Sequence, residues 1–188
     1  MYPFNKRLFI LRHGETEFNK AHILQGQVDS PLTELGIKQA KDVAEKAEKL
    51  GIGILATSDL KRAVSTADII SGIIGLPITR IDSVFRERSF GDMDGVFLGD
   101  IRKMYPQFIT DEGKFILEHD LKTGEPVKVF YDRVINAIEA LMKEFARKNI
   151  MLITHKGVLN MMYAYANDIP LDKVRIVYNP DNCEIANY

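Results

Sequence analysis

Two histidines and two arginines stand where they could act together on one anion. His13 follows Arg12 directly after the apolar run Leu8-Phe9-Ile10-Leu11, and His155 follows a second run, Ile150 to Thr154. A third run, Ile52 to Thr57, leads into a helix start that carries Arg62. Runs of this length and bulk read as strands buried on both faces. If these strands lie parallel in one sheet, their C-terminal ends share an edge, where open α/β sheets hold their ligands. Arg12, His13, Arg62 and His155 would then meet in one crevice despite their distance along the chain. Two guanidinium forks and two imidazoles suit the oxygens of a phosphate dianion. Glu87 adds a carboxyl at the same edge, in the charged loop that follows the strand Ile78 to Ile81.

Plainer readings of the same residues stay open at this level. A single histidine at a strand end is more often a hydrogen-bonded structural group. Arg62 could pair with Asp59 on a solvated helix face, and Glu87 could belong to a surface charge cluster with Arg86 and Arg88. Metal ligation by His13 and His155 is a further option, opposed by the arginines, which repel a cation and offer no lone pair. The chain carries no Walker loop and no glycine fingerprint of a dinucleotide site. Its single cysteine, Cys183, excludes an internal disulfide and a cysteine-built zinc site, and reads as an apolar filler.

The elements that must position these groups follow from the pattern. Residues 13–31, with Gly26, Asp29, Ser30 and Pro31, read as one long loop. Thr33 reads as the N-cap of a helix running to about Leu50 and closed by Gly51. Ser58 is expected to cap the next helix, whose Ala63, Ala67, Ile70 and Ile74 face inward and which Gly75 and Pro77 stop. Two short helices are expected near Leu98–Tyr105 and Phe108–His119. A long amphipathic helix follows from Pro126 to about Lys148, then a helix from Val158 to about Ala166. Val174 to Tyr178 and Glu184 to Tyr188 read as closing strands. Strands alternating with helices predict an α/β fold: a three-layer α/β/α sandwich around a mostly parallel sheet. Residues 97–125 are expected to form a small helical insertion walling the pocket, with Phe97, Tyr105, Phe108, Phe115 and His119 available to stack on a ligand or to pack the insertion itself.

At 188 residues the chain is expected to be a single domain, 1–188. Hydrophobic residues make up 46 % and the net charge is -1, so no global charge favours nucleic acid or an anionic membrane and any anion site must be built locally. No run approaches the ~20 apolar residues of a spanning helix, and the N-terminal residues lack a signal-peptide apolar region. These features predict a cytoplasmic protein without nucleic-acid or membrane partners.

Beyond these inferences, Arg12-His13-Gly14-Glu15-Thr16, with Asn19 and Gln25-Gly26, resembles the signature of the histidine phosphatase superfamily, the phosphoglycerate mutase-like group. The resemblance continues in Asp29-Ser30-Pro31-Leu32-Thr33 with Gly36, in Ser58-Asp59-Leu60, Arg62-Ala63 and Thr66-Ala67, and in Glu87 with Gly91 and Gly95. It extends to Gly124-Glu125, Arg133 and Thr154-His155-Lys156-Gly157-Val158. It implies that His13 is the nucleophile that becomes phosphohistidine, that Arg12, Arg62 and His155 bind phosphoryl oxygens, and that Glu87 protonates the leaving oxygen. It adds Asn19, Gln25 and Gly26 to the substrate-binding residues and requires neither metal nor cofactor. Attack requires a neutral His13, whereas His155 would serve better as a cation. Lys156 stands where the family often has glycine and is expected to contact phosphate or substrate at the pocket rim.

Within that resemblance, two departures favour a phosphatase over a mutase. Ser89 and Phe90 stand where mutases usually carry His and Tyr, and residues 97–125 contain no adjacent-arginine pair to grip a carboxylate. The expected reaction is metal-independent hydrolysis of a small phosphorylated metabolite. The alternatives are cofactor-dependent phosphoglycerate mutase-type transfer and a non-catalytic protein that binds phosphate ligands.

Overall fold

The strand β1 (Leu8–Arg12) pairs in parallel with β4 (Asn149–Thr154), with Arg12 opposite Thr154, so the two runs that end in histidine finish level with each other. On the far side of β4 lies β2 (Ile52–Ser58), also parallel, followed outward by β3 (Ile78–Asp82). The strand β5 (Ile185–Asn187) closes the other edge antiparallel to β1, giving the order β3-β2-β4-β1-β5. The computed structural model describes residues 6–109, 122–171 and 180–188.

Alternation along each strand feeds two separate cores. Leu8, Ile10, Ile54, Ala56, Ile150 and Leu152 pack beneath α5 (Val127–Glu144) and α6 (Lys156–Ala166). Phe9, Leu11, Leu55, Met151 and Ile153 pack on the opposite face against α2 (Glu34–Lys49) and α3 (Lys61–Ile74). Burying each large aliphatic side chain is worth about 1.5–3 kcal/mol, which explains why the central strands are apolar at every position and not only at alternate ones. The result is the expected three-layer α/β/α sandwich. Cys183 lies in the second core, as a filler would. No helix among the described residues is long and apolar enough to cross a membrane.

Several elements differ from the sequence reading. Residues 13–31 are not all loop: α1 (Glu17–Lys20) forms one turn under a capping box made by Thr16 and Asn19. Thr33 caps α2 as expected, accepting from the Gly36 N–H. Ser58 does not cap α3. Its N-cap position is Leu60, which has no polar atom to offer, and the Asp29 carboxylate reaches across to accept from the Lys61 and Arg62 N–H groups at 2.8 and 3.4 Å. The helix α5 stops at Glu144, before Lys148, and α6 begins at Lys156, before Val158.

The helix α4 (Leu98–Met104) matches the first helix expected in the insertion. There Ile101 packs with Phe90 and Met93, and Tyr105 lies against them, while Phe97 stays 47 % exposed. The expected helix Phe108–His119 falls largely, and the strand Val174–Tyr178 wholly, outside the described residues, as do Phe115 and His119.

Candidate active site

The β1–β4 ladder runs one residue past the strands, because the His13 N–H donates to the Thr154 carbonyl at 2.9 Å. This bond draws His13 toward the end of β4, and the His13 and His155 rings lie 5.4 Å apart, tilted by 58°. The His13 Nδ1 is 2.8 Å from the Gly14 carbonyl oxygen. A carbonyl can only accept, so Nδ1 carries the proton and Nε2 keeps its lone pair. Gly14 cannot be replaced without movement, since a Cβ there would sit 2.6 Å from the Gly36 carbonyl oxygen. On the neighbouring strand, the His155 Nε2 meets the Ser58 hydroxyl at 2.9 Å.

The helix α3 brings in Arg62, which is only 1 % exposed. Its Nη1 donates to the Val28 carbonyl and to Asp29 at 2.8 and 2.9 Å, and its Nη2 donates to the Gly26 carbonyl at 2.6 Å. Asp59, the alternative partner read from the sequence, is instead held by Arg86 through two bonds of 2.7 and 2.6 Å. Arg12 donates from Nη1 to the Pro180 carbonyl at 3.0 Å. The Nε atoms of both Arg12 and Arg62, and Nδ1 of His155, are buried without a hydrogen-bond partner. Buried polar atoms of this kind are costly unless a ligand or water meets them.

Glu87 is not part of a surface cluster. Its two carboxylate oxygens accept from the Arg88 and Gly157 N–H groups at 2.9 and 3.1 Å. Its carbonyl is held by Gln27 at 3.1 Å, and Arg133, paired with Glu125 at 2.7 Å, pins the Val84 and Arg86 carbonyls on the same loop. Gly157 has to lack a side chain here, because a Cβ would fall 2.1 Å from a Glu87 oxygen. The Glu87 carboxylate acts electrostatically on Arg12, Arg62 and Lys156, which places it within reach of the same crevice.

The remaining expected site residues are arranged less directly. The Asn19 Oδ1 accepts from the Thr16 N–H and from Asn182, and its side-chain nitrogen is the group that could donate to a phosphate. Gly26 takes a positive φ of 50° and gives its carbonyl to Arg62, and a Cβ there would lie 1.6 Å from an Asp94 oxygen. Gln25 is buried, with its side-chain oxygen Oε1 unpaired. Lys156 opens α6 half-buried. Burial and Arg12 push its ammonium pKa down, while Glu87 and Asp181 oppose that shift.

The structure adds groups that sequence reasoning passed over. Asp29 neutralises Arg62, Ser58 meets His155, and Thr66 accepts from the Gly14 N–H at 3.0 Å. Asn182 donates to the His13 carbonyl at 2.9 Å, and the Cys183 N–H donates to the Arg12 carbonyl at 3.0 Å. Nothing in the local sequence marks residues 180–183 for this task. Asp29, by contrast, lies inside the motif at 29–33.

Burial, reinforced by Arg62 and Arg12, pushes the His13 pKa well below its usual 6.5, despite the bond to Gly14. The same causes act on His155, joined by His13 and Arg133, so the expectation of a cationic His155 is not met by the protein's own charges. Three cations and a neighbouring imidazole disfavour a further proton there. Both folded-state histidines therefore bind fewer protons than in the unfolded chain, and stability rises with pH. That stability is complete above about pH 6.5 and is lost as pH falls from there toward the depressed folded values. With two such groups the slope approaches about 2.7 kcal/mol per pH unit. Urea unfolding between pH 7.5 and 5.5 measures it, and His13→Asn should roughly halve it. Asp94, whose carboxyl burial pushes up, acts in the opposite sense at lower pH.

Chemically, the crevice offers an imidazole lone pair, two guanidinium groups, a second imidazole and a carboxyl. Among the described residues, no three His, Cys, Asp or Glu side chains gather as a metal site requires. The chain is 29 % identical over 170 residues to the uncharacterized phosphatase PhoE of Bacillus subtilis, covering 89 % of this chain and 82 % of that one. It is 32 % identical over 160 residues to a metal-independent phosphoserine phosphatase of Arabidopsis thaliana, covering 83 % and 66 %. The mycobacterial glucosyl-3-phosphoglycerate phosphatase, solved in complex with VO3, superposes with a TM-score of 0.83 at 25 % identity, covering 95 % of this chain and 88 % of that one. A family profile described as the histidine phosphatase superfamily (branch 1) matches residues 8–187. The strand-end histidines, the buried arginines and these likenesses agree: the chain belongs to branch 1 of the histidine phosphatase superfamily.

Proposed function

We propose that this protein hydrolyses the phosphomonoester of a small phosphorylated metabolite through a phosphohistidine at His13, without a metal ion. The observation that carries this reading is the His13 ring. Its Nδ1 is committed to the Gly14 carbonyl, its Nε2 is left with a lone pair, and burial beside two arginines keeps it neutral. In the first step Nε2 attacks phosphorus, the P–O ester bond breaks, and Glu87 gives its proton to the leaving oxygen. In the second step Glu87 takes a proton from water, the water oxygen bonds to phosphorus, and the P–N bond breaks to release inorganic phosphate.

Arg12, Arg62 and His155 carry the charge of the phosphoryl oxygens in this scheme. A unit charge pair at ~4 Å and an effective dielectric of ~20 is worth about 4 kcal/mol before desolvation, so two arginines supply a large share of the electrostatic stabilisation. Positioning and charge dominate phosphoryl transfer, and the donor set is suited to both. Two of the named relatives are phosphatases of phosphoserine and of glucosyl-3-phosphoglycerate, molecules of different size, which supports a phosphomonoester as the common requirement.

The test is hydrolysis of p-nitrophenyl phosphate in the presence of a chelator, quenched in alkali during turnover. The expected result is undiminished hydrolysis with phosphate bound to His13, stable in alkali and released by acid. Hydrolysis that depends on a divalent cation, or turnover without an acid-labile phosphoenzyme, would overturn the reading. Transfer that depends on 2,3-bisphosphoglycerate would indicate a mutase instead.

A further inference from the structure

The His155 ring lies wholly buried between two hydrogen-bonding situations of opposite kind. On one side its Nε2 meets the Ser58 hydroxyl at 2.9 Å, and on the other its Nδ1 is buried with no partner. Ser58 is itself fully buried, and its oxygen also accepts from the Leu60 N–H at 3.3 Å. A serine hydroxyl has one proton to donate and accepts with its lone pairs. With one lone pair already used by Leu60, the hydroxyl proton needs an acceptor. Among the described residues, the His155 Nε2 is the acceptor that Ser58 reaches.

We infer that Ser58 sets the tautomer of His155: its hydroxyl donates to Nε2, which leaves the ring proton on Nδ1, aimed at the phosphoryl oxygens. Ser58 is thus a positioning residue that acts through His155. The second imidazole then works as a neutral N–H donor and needs no proton from solvent to do so. The opposite tautomer would present an Nδ1 lone pair to a dianion and repel it.

The surroundings of the pair hold the ring to a single proton. His155 is faced by Arg62 from α3, by Arg12 and His13 from the end of β1, and by Arg133 from α5. All of these disfavour a second ring proton, so the single proton's position decides whether the ring helps or hinders. The backbone holding the pair is also fixed. The Thr57 hydroxyl donates to the Ser58 carbonyl at 3.0 Å, and the Thr154 hydroxyl to the Phe85 carbonyl at 2.7 Å.

The inference rests on the phosphatase reading for its purpose, but the tautomer itself is read without turnover. Nitrogen-15 NMR of the histidine-labelled protein at pH 8, with the His155 signal assigned through its loss in His155→Gln, should show a protonated Nδ1 and a bare Nε2. A protonated Nε2 in the unaltered protein overturns the inference, even if the protein is an active phosphatase. In Ser58→Ala the ring should move toward the Nε2–H form. In that variant kcat/KM for p-nitrophenyl phosphate, and orthovanadate affinity, should each fall about tenfold to a hundredfold, the size expected for one hydrogen bond to a charged group. Ser58→Thr, which keeps the hydroxyl, should retain the tautomer. A Ser58→Ala protein that melts earlier yet keeps the tautomer and its vanadate affinity would show a purely structural serine and sink the proposal.

Discussion

His13→Ala should abolish turnover, with kcat for p-nitrophenyl phosphate falling on the order of 10⁴–10⁶-fold, as for other catalytic nucleophiles. Neither the second imidazole nor the arginines can replace it. His155 is committed to Ser58 through its second nitrogen, and the arginines have no lone pair to attack with. The variant should still bind inorganic phosphate, because Arg12, Arg62 and His155 remain, and titration calorimetry can measure that binding alongside the lost rate. Removing the ring also removes one of the two groups responsible for instability in mild acid, so the variant should be less sensitive to pH than the parent. Substantial residual turnover with a phosphoenzyme formed elsewhere would refute the assignment.

Arg62→Ala has the second large effect, and it should strike activity and folding together. The guanidinium answers the Asp29 carboxylate and the carbonyls of Val28 and Gly26. Its loss leaves Asp29, which is partly exposed, holding the N-terminus of α3 without its partner. Breaking an ion pair with one deeply buried member costs about 3 kcal/mol, less where water reaches the other member. The expected result is a clear drop in urea midpoint together with a loss in kcat/KM of roughly 10²–10³-fold, the scale of removing one donor from a charge-stabilising site. Arg62→Lys separates the two effects. It restores a charge for Asp29 but cannot reach two carbonyls and a ligand with a planar fork, so stability should recover further than activity. Equal recovery of both would mean that Arg62 is purely structural.

The residues whose positions are dictated by backbone topology were legible in the sequence. Arg12, His13 and His155 sit at strand ends, and once those strands are parallel neighbours their convergence follows. Thr33 announced its helix because a cap is a local contact, made three residues away. What stayed hidden depends on contacts between distant loops, which leave no period. Asp29 caps α3 from across the site where Ser58 is the nearer candidate, and Arg86 takes Asp59 where Arg62 is nearer in sequence. The one-turn helix α1 is too short to show a periodic face. The charge of His155 could not be read either, since it depends on how many cations the fold gathers around a buried ring. Composition requires any anion site to be built locally, but the carbonyls of Gly26, Val28 and Pro180 that hold the arginines carry no side-chain signature.

The strap at residues 180–183 has a consequence for how the protein is made. Arg12 is held by a carbonyl 168 positions further along the chain, and His13 by an amide 169 positions further. A ribosome that has already produced Arg12, His13, Arg62, Glu87 and His155 has therefore not yet supplied the clasp that holds the first two. Contacts so remote in sequence form late, after the entropy of closing a long loop has been met. The same segment gives Tyr188 to the first core and Cys183 to the second, so both cores are completed together with the clasp. The clasp on Arg12 and His13 therefore closes only when the edge strand β5 docks beside β1 and brings Asn182 onto the His13 carbonyl.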